Sequence, residues 1–238
     1  MRRLEWKIEG VDREALVCLP ARPRPARCPL VFAFHARGET AGQAAENFAC
    51  HRHWPEAAAV YMQALNTPGT LLDLEGKESG WQRTLGDQND RDVKFFDAVR
   101  ATLLADFRTD AQRVYVAGHS NGGNFAYLLW AARGDAFAAA AACAAAVRPQ
   151  FLERMRPKAV LHVAGEKDLL VRFEWQQRTM DSLRSLNACQ EGMPWGERCT
   201  WYPSKLGAPV VACIHPGGHE LPADAPLLIV NFFKAHGA

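Results

Sequence analysis

The chain lacks any apolar run long and unbroken enough to cross a bilayer, so no membrane partner is expected. Its most alanine-rich stretch, Ala138 to Val147, is too short and suits a buried strand with its flank. It also lacks an excess of one charge. Against 28 Lys and Arg stand 26 Asp and Glu, a formal net charge of +2, which gives no electrostatic basis for nucleic-acid binding. The basic cluster Arg22-Pro23-Arg24-Pro25-Ala26-Arg27 is interrupted by prolines and reads as a solvated connection between strands. No Cys-x-x-Cys or His/Cys cluster has zinc-site spacing. The acidic string Asp87, Asp90, Asp92 lacks the pattern of a calcium loop and reads as helix capping. No metal and no organic cofactor is therefore expected. There is no internal repeat, no linker and no h-region behind Met1. A cytoplasmic location is expected for the chain as it stands, and a secreted or periplasmic one if a leader has been removed.

What remains is a chain of 238 residues, 48% hydrophobic, in which strand-like and helix-like stretches alternate. Leu4 to Glu9 and Glu14 to Leu19 suggest an opening antiparallel pair, and Leu30 to Phe34 a third strand. A helix is predicted near Gly42 to Arg52, a strand at Ala59 to Gln63, and a long helix from about Asp90 to Asp106, capped by Asp90 or Asn89. This alternation argues for α/β architecture, with a mostly parallel central sheet and helices on both faces, as one domain spanning residues 1–238.

The richest segment is Val114-Tyr115-Val116-Ala117-Gly118-His119-Ser120-Asn121-Gly122-Gly123. A buried-strand pattern runs into Gly-x-Ser-x-Gly, and a helix-compatible run starting at Asn124 follows. Strand, sharp turn and helix in that order are the context of a nucleophile elbow, which lifts a serine to the C-terminal edge of a sheet. A serine hydroxyl needs a base, and in this arrangement the partners follow as carboxylate and then histidine, each just past a strand. The strand-like Ala159 to Ala164 is followed by Gly165-Glu166-Lys167-Asp168, and Val210 to Ile214 by Pro216-Gly217-Gly218-His219. Asp168 and His219 are thus the candidate acid and base, with Glu166 and His215 as their nearest rivals. His162, inside a strand, suits a core position.

An oxyanion hole is expected from the amide of Asn121 and one from the loop after the third strand, Arg37 in preference to Ala36. His119 and Trp81 are candidate substrate-binding residues. Trp81 lies in the aperiodic stretch Asn66 to Gln88, whose length marks it as functional and which should reach the same sheet edge as Ser120. Cys189 and Cys199 flank a Gly- and Pro-containing loop and are the expected disulfide pair in an exported enzyme.

Tyr115 to Gly123, with Arg113-Val114-Tyr115, Asp92-Val93-Lys94-Phe95-Phe96 and Gly217-Gly218-His219, resembles the polyhydroxybutyrate depolymerase and feruloyl esterase group of α/β-hydrolases over most of the chain. The resemblance implies an α/β-hydrolase without a large cap domain, and a serine esterase with Ser120 as nucleophile, Asp168 as acid and His219 as base. Its substrate would be a small-molecule or oligomeric ester of a short-chain or aromatic acid. One departure stands out: the family commonly has His-Gly where this chain reads His35-Ala36-Arg37-Gly38. A peptidase, an acyltransferase or a non-catalytic binding module on the same fold are the alternatives.

Overall fold

Alternation along the central strands decides where the layers lie. In Leu30-Val31-Phe32-Ala33-Phe34, the residues Leu30, Phe32 and Phe34 point into one buried cluster and Val31 and Ala33 into another. Side chains two apart share a face, so a strand apolar at every position must be covered on both sides. A computed structural model describes residues 1–20, 27–69 and 73–236 and shows this double covering. Most of the Arg22 to Arg27 connection, and residues 70–72 of the long aperiodic stretch, lie outside the described residues.

The elements run β1 (Arg2–Ile8), β2 (Val11–Cys18), β3 (Cys28–Phe34), α1 (Ala41–Phe48), α2 (Cys50–His53), β4 (Ala58–Met62), α3 (Arg91–Asp106), β5 (Thr109–His119) and α4 (Asn121–Arg133). There follow β6 (Ala139–Cys143), α5 (Pro149–Leu152), β7 (Ala159–Gly165), α6 (Phe173–Leu186), β8 (Met193–Pro194), β9 (Cys199–Tyr202), β10 (Val210–His215) and α7 (Ala225–Ala235). The strands form one sheet in the order β1-β2-β4-β3-β5-β6-β7-β10-β9-β8. The six central strands, β4 to β10 in that order, are parallel, and antiparallel strands close both edges.

Helices α3, α4 and α6 cover one face, and α1, α2 and α7 the other. At the centre, β6 is Ala-Ala-Ala-Ala-Cys, whose small side chains let α4 and α7 approach the sheet closely from opposite sides. Between β6 and β7 only the four-residue α5 intervenes, so no cap covers the sheet edge there. No helix among the described residues is long and apolar enough to cross a membrane.

Two local expectations are corrected. Asp90 precedes α3 but makes no capping bond to it; its carboxylate accepts from the Gly86 amide and from Gln82 Nε2, and Asp87 accepts from the Thr84 amide. Asp92 is fully buried and pairs with Arg13 at 2.8 Å while accepting from the Gln82 amide at 2.7 Å. These carboxylates staple the loop before α3 to the helix; they do not cap it. The disulfide joins Cys199 to Cys213, which face each other directly across β9 and β10, and Cys189 is a free thiol. Strand register, absent from the spacing of cysteines in the sequence, selects the partner.

Candidate active site

The elbow is built where β5 runs into α4. Ser120 sits at φ 54°, ψ −117°, a backbone conformation that side chains rarely adopt and that persists only when its surroundings dictate it. Two glycines make the turn possible. A Cβ on Gly118 would lie 2.1 Å from the Gly122 carbonyl oxygen, and one on Gly122 would lie 2.3 Å from that of Phe34. Further bonds pin the turn, as the Ser120 amide donates to the Cys143 carbonyl at 2.8 Å and the Asn124 amide to the Ser120 carbonyl at 2.9 Å.

Loops after β7 and β10 bring the other two groups to this point. Ser120 Oγ lies 2.7 Å from His219 Nε2, and His219 Nδ1 lies 2.8 Å from Asp168 Oδ2. Asp168 Oδ1 accepts from the amides of Leu170 and Val171, both at 2.9 Å, and Oδ2 also accepts from Gln176 Nε2 at 3.0 Å. All four acceptor directions of the carboxylate are thereby used, so the fully buried side chain is held in one orientation. The rivals stand apart. His215 is buried and accepts from the Gly217 amide through Nδ1, with burial pushing its pKa below the ordinary value. Glu166 is exposed on the turn, its amide bonded to the His215 carbonyl.

The loop after β3 faces the same point. The Ala36 amide is committed to Glu39 Oε2 at 3.1 Å, whereas among the described residues the Arg37 amide has no acceptor. His35 fixes this loop: its Nδ1 donates to the Ala36 carbonyl at 2.6 Å, and its Nε2 accepts from the Ala64 amide at 3.1 Å. That pattern needs a neutral ring, in keeping with the lowered pKa that burial imposes. The Arg37 side chain turns away to Asp73 and the Thr67 carbonyl, tying the long loop down. Asn121 opens α4; its side-chain oxygen accepts from the Trp81 amide at 2.7 Å, and its own amide has no acceptor among the described residues. A cleft of about 280 Å³ lies over Ser120, bordered by Ala36, Glu78, Arg83, Arg148, Leu170 and His219, among others.

Two expected substrate contacts are corrected. Trp81 has no exposed surface: it stacks on Phe125 at 4.8 Å, meets Phe34 edge-on, and its indole N–H donates to the His35 carbonyl. It is a core residue beneath the site, placed there because the fold closes around both Phe34 and Phe125. His119 is also buried, and its Nε2–H donates to the His219 carbonyl at 2.9 Å, steadying the loop that carries His219; burial lowers its pKa. His162 occupies the core as expected, bonded to the Tyr127 hydroxyl at 2.6 Å. Sequence reasoning missed Gln176, Arg83 and Arg148. Gln176 sits on α6 with no motif around it, and the two arginines come together only through the fold. No group of three or more metal-ligating side chains is assembled among the described residues.

Chemically, an imidazole between a buried carboxylate and a serine hydroxyl can take up the serine proton, and the amides of Asn121 and Arg37, residues that line the same cleft, can bind an oxyanion.

The sequence model of the prolyl oligopeptidase family matches residues 74–155, about a third of the chain. No curated protein matches the sequence. Among solved structures, an acetyl xylan esterase from Aspergillus awamori is similar with a TM-score of 0.72 at 12% identity, over 98% of this chain and 99% of that one. A Bacillus cereus carboxylesterase is similar with a TM-score of 0.67 at 14% identity, over 94% of each chain. An acylaminoacyl peptidase from Pyrococcus horikoshii gives a TM-score of 0.64 at 12% identity, over 98% of this chain and 40% of its own. The fold is that of an α/β-hydrolase.

Proposed function

We propose that the protein is a serine hydrolase acting on carboxylic esters, with Ser120 as nucleophile, His219 as general base and acid, and Asp168 as the group that orients His219. The observation that carries this reading is the continuous hydrogen-bonded line from Ser120 through His219 to Asp168 at 2.7 and 2.8 Å, set on a strained elbow at the floor of an open cleft. As His219 Nε2 removes the hydroxyl proton, Ser120 Oγ bonds to the ester carbonyl carbon, and the negative charge moves to the carbonyl oxygen. The amides of Asn121 and Arg37 stabilise that oxyanion. Collapse of the intermediate breaks the carbon–oxygen bond, and His219 gives its proton to the leaving alcohol. Water, deprotonated by the same imidazole, then releases the acid and restores Ser120.

The cleft supports a short, soluble ester. It is small, has polar and charged groups on its rim, and has no cap among the described residues to shield a long alkyl chain. With Trp81 in the core, no aromatic wall that would favour a feruloyl group lines the cleft among the described residues, so a short-chain ester such as an acetylated sugar or a hydroxyalkanoate oligomer fits better. The sequence resemblance to the polyhydroxybutyrate depolymerase and feruloyl esterase group supports an ester as the substrate. A peptidase is the second reading, favoured by the prolyl oligopeptidase match over residues 74–155.

A chain-length series of p-nitrophenyl esters, with methyl ferulate and a peptide p-nitroanilide, tests the proposal. Highest kcat/KM on acetate or butyrate supports it. A maximum at palmitate, or an anilide cleaved faster than every ester, overturns it.

A further inference from the structure

Two guanidinium groups border the Ser120 cleft without a partner among the described residues. Arg83 follows the Trp81-Gln82 pair, and Arg148 follows β6 and leads into α5. Their backbones are held firmly. The Trp81 amide is bonded to Asn121 and the Gln82 amide to the buried Asp92, while the Ala146 amide donates to Asn124 and the Val147 amide to Thr179, each bond at 3.0 Å or less. Their head groups are not. Among the described residues neither side chain makes a hydrogen bond or an ion pair, although both are half-buried and Arg83 Nε is inaccessible to solvent.

The other charges around them do not neutralise the pair. Arg37, which also lines the cleft, is matched by Asp73, which leaves Glu78 as the carboxylate on the cleft wall against Arg83 and Arg148. Asp87 attracts Arg148 from the loop before α3, but its carboxylate is engaged by the Thr84 amide. Burial and the neighbouring positive charge of Arg83 push the Arg148 guanidinium below its ordinary value. Like charges brought together at a partly dry site destabilise each other, and an anion placed between them relieves that and gains charge-assisted hydrogen bonds.

Resting on the reading of the site as an ester hydrolase, we infer that the substrate carries a free carboxylate, bound by Arg83 and Arg148 while the ester carbonyl lies on Ser120. An ester of a dicarboxylic acid would bring that carboxylate on the acyl side. An ester of a hydroxy acid would bring it on the alcohol side.

Two matched pairs of esters distinguish these and test the inference. Mono-p-nitrophenyl glutarate against p-nitrophenyl valerate varies charge on the acyl side; para-acetoxybenzoate against its methyl ester varies it on the alcohol side. In one pair the charged ester should have the higher kcat/KM by about tenfold or more, the order expected for a bidentate ionic contact. Arg83→Gln and Arg148→Gln should each bring that ratio towards one, with the lysine exchanges retaining part of it. The ratio is internal to each preparation, so partial misfolding leaves it unchanged. Turnover of neutral esters with no charged ester preferred in either pair, or a preference intact in both glutamine variants, overturns the inference and leaves the hydrolase reading standing. Absence of turnover on all four esters overturns both.

Discussion

Replacing Asp168 by Asn should disable the site through a single proton. The Oδ1 position receives two backbone amides, from Leu170 and Val171, which cannot turn away without undoing the loop after β7. The carbonyl of the new side chain must therefore take the Oδ1 place, and its NH₂ group the Oδ2 place. There it faces His219 Nδ1, now 2.8 Å from a carboxylate oxygen, and Gln176 Nε2. Gln176 can present its own oxygen by rotating its amide, since Oε1 has no partner, at the cost of its Nε2 bond to the Val171 carbonyl at 2.7 Å. The imidazole has no such freedom. To accept from the NH₂ group at Nδ1 it must carry its proton on Nε2, pointing at Ser120, where a lone pair is required. The same exchange in a serine protease triad lowers kcat about 10⁴-fold, which corresponds to about 5 kcal/mol of barrier at 1.36 kcal/mol per decade. Hydrolysis of p-nitrophenyl acetate near pH 8, with circular dichroism as the check on folding, should show a loss of this order. A folded Asp168→Asn protein within tenfold of the parent refutes the assignment of Asp168 and the tautomer argument together.

Two further outcomes are expected. Burial pushes His162 down to about 4, against about 6.5 in the unfolded chain, so between those values the unfolded state binds a proton that the native state refuses. Stability should fall as pH drops through that window, by roughly 3 kcal/mol at 1.36 kcal/mol per unit, and be level above it; urea unfolding from about pH 7 to pH 4 should show a shallower loss for His162→Gln, and equal slopes refute the point. Peptide mapping of unreduced protein from an oxidising compartment should yield a fragment cross-linked through Cys199 and Cys213 with Cys189 alkylated, whereas a Cys189–Cys199 fragment contradicts the strand register.

Local pattern made much of this molecule legible. The elbow could be read because strand, Gly-x-Ser-x-Gly and helix are contiguous, and because steric demands at Gly118 and Gly122 leave no other residue there. Asp168 and His219 could be placed because parallel strands put their following loops on one edge. What escaped depends on contacts between distant segments. Trp81 reads as a pocket wall because it sits in a long loop, yet the loop folds back and gives its indole to Phe34 and Phe125. His119 neighbours the nucleophile in sequence but points behind it, to the His219 carbonyl. The acidic run before α3 looks like a cap, whereas Arg13 on β2 draws Asp92 into the core. Gln176, Arg83 and Arg148 carry no motif, and their proximity to the site is a product of the fold alone.

Reaction with a fluorophosphonate probe, followed by identification of the modified peptide, tests the central claim most directly. The probe reacts with a serine activated by a base and an oxyanion hole, and needs no knowledge of the substrate. A single adduct on Ser120, absent from Ser120→Ala and sharply reduced in His219→Ala, is the predicted result. An unlabelled folded protein, or an adduct that survives Ser120→Ala, would contradict it.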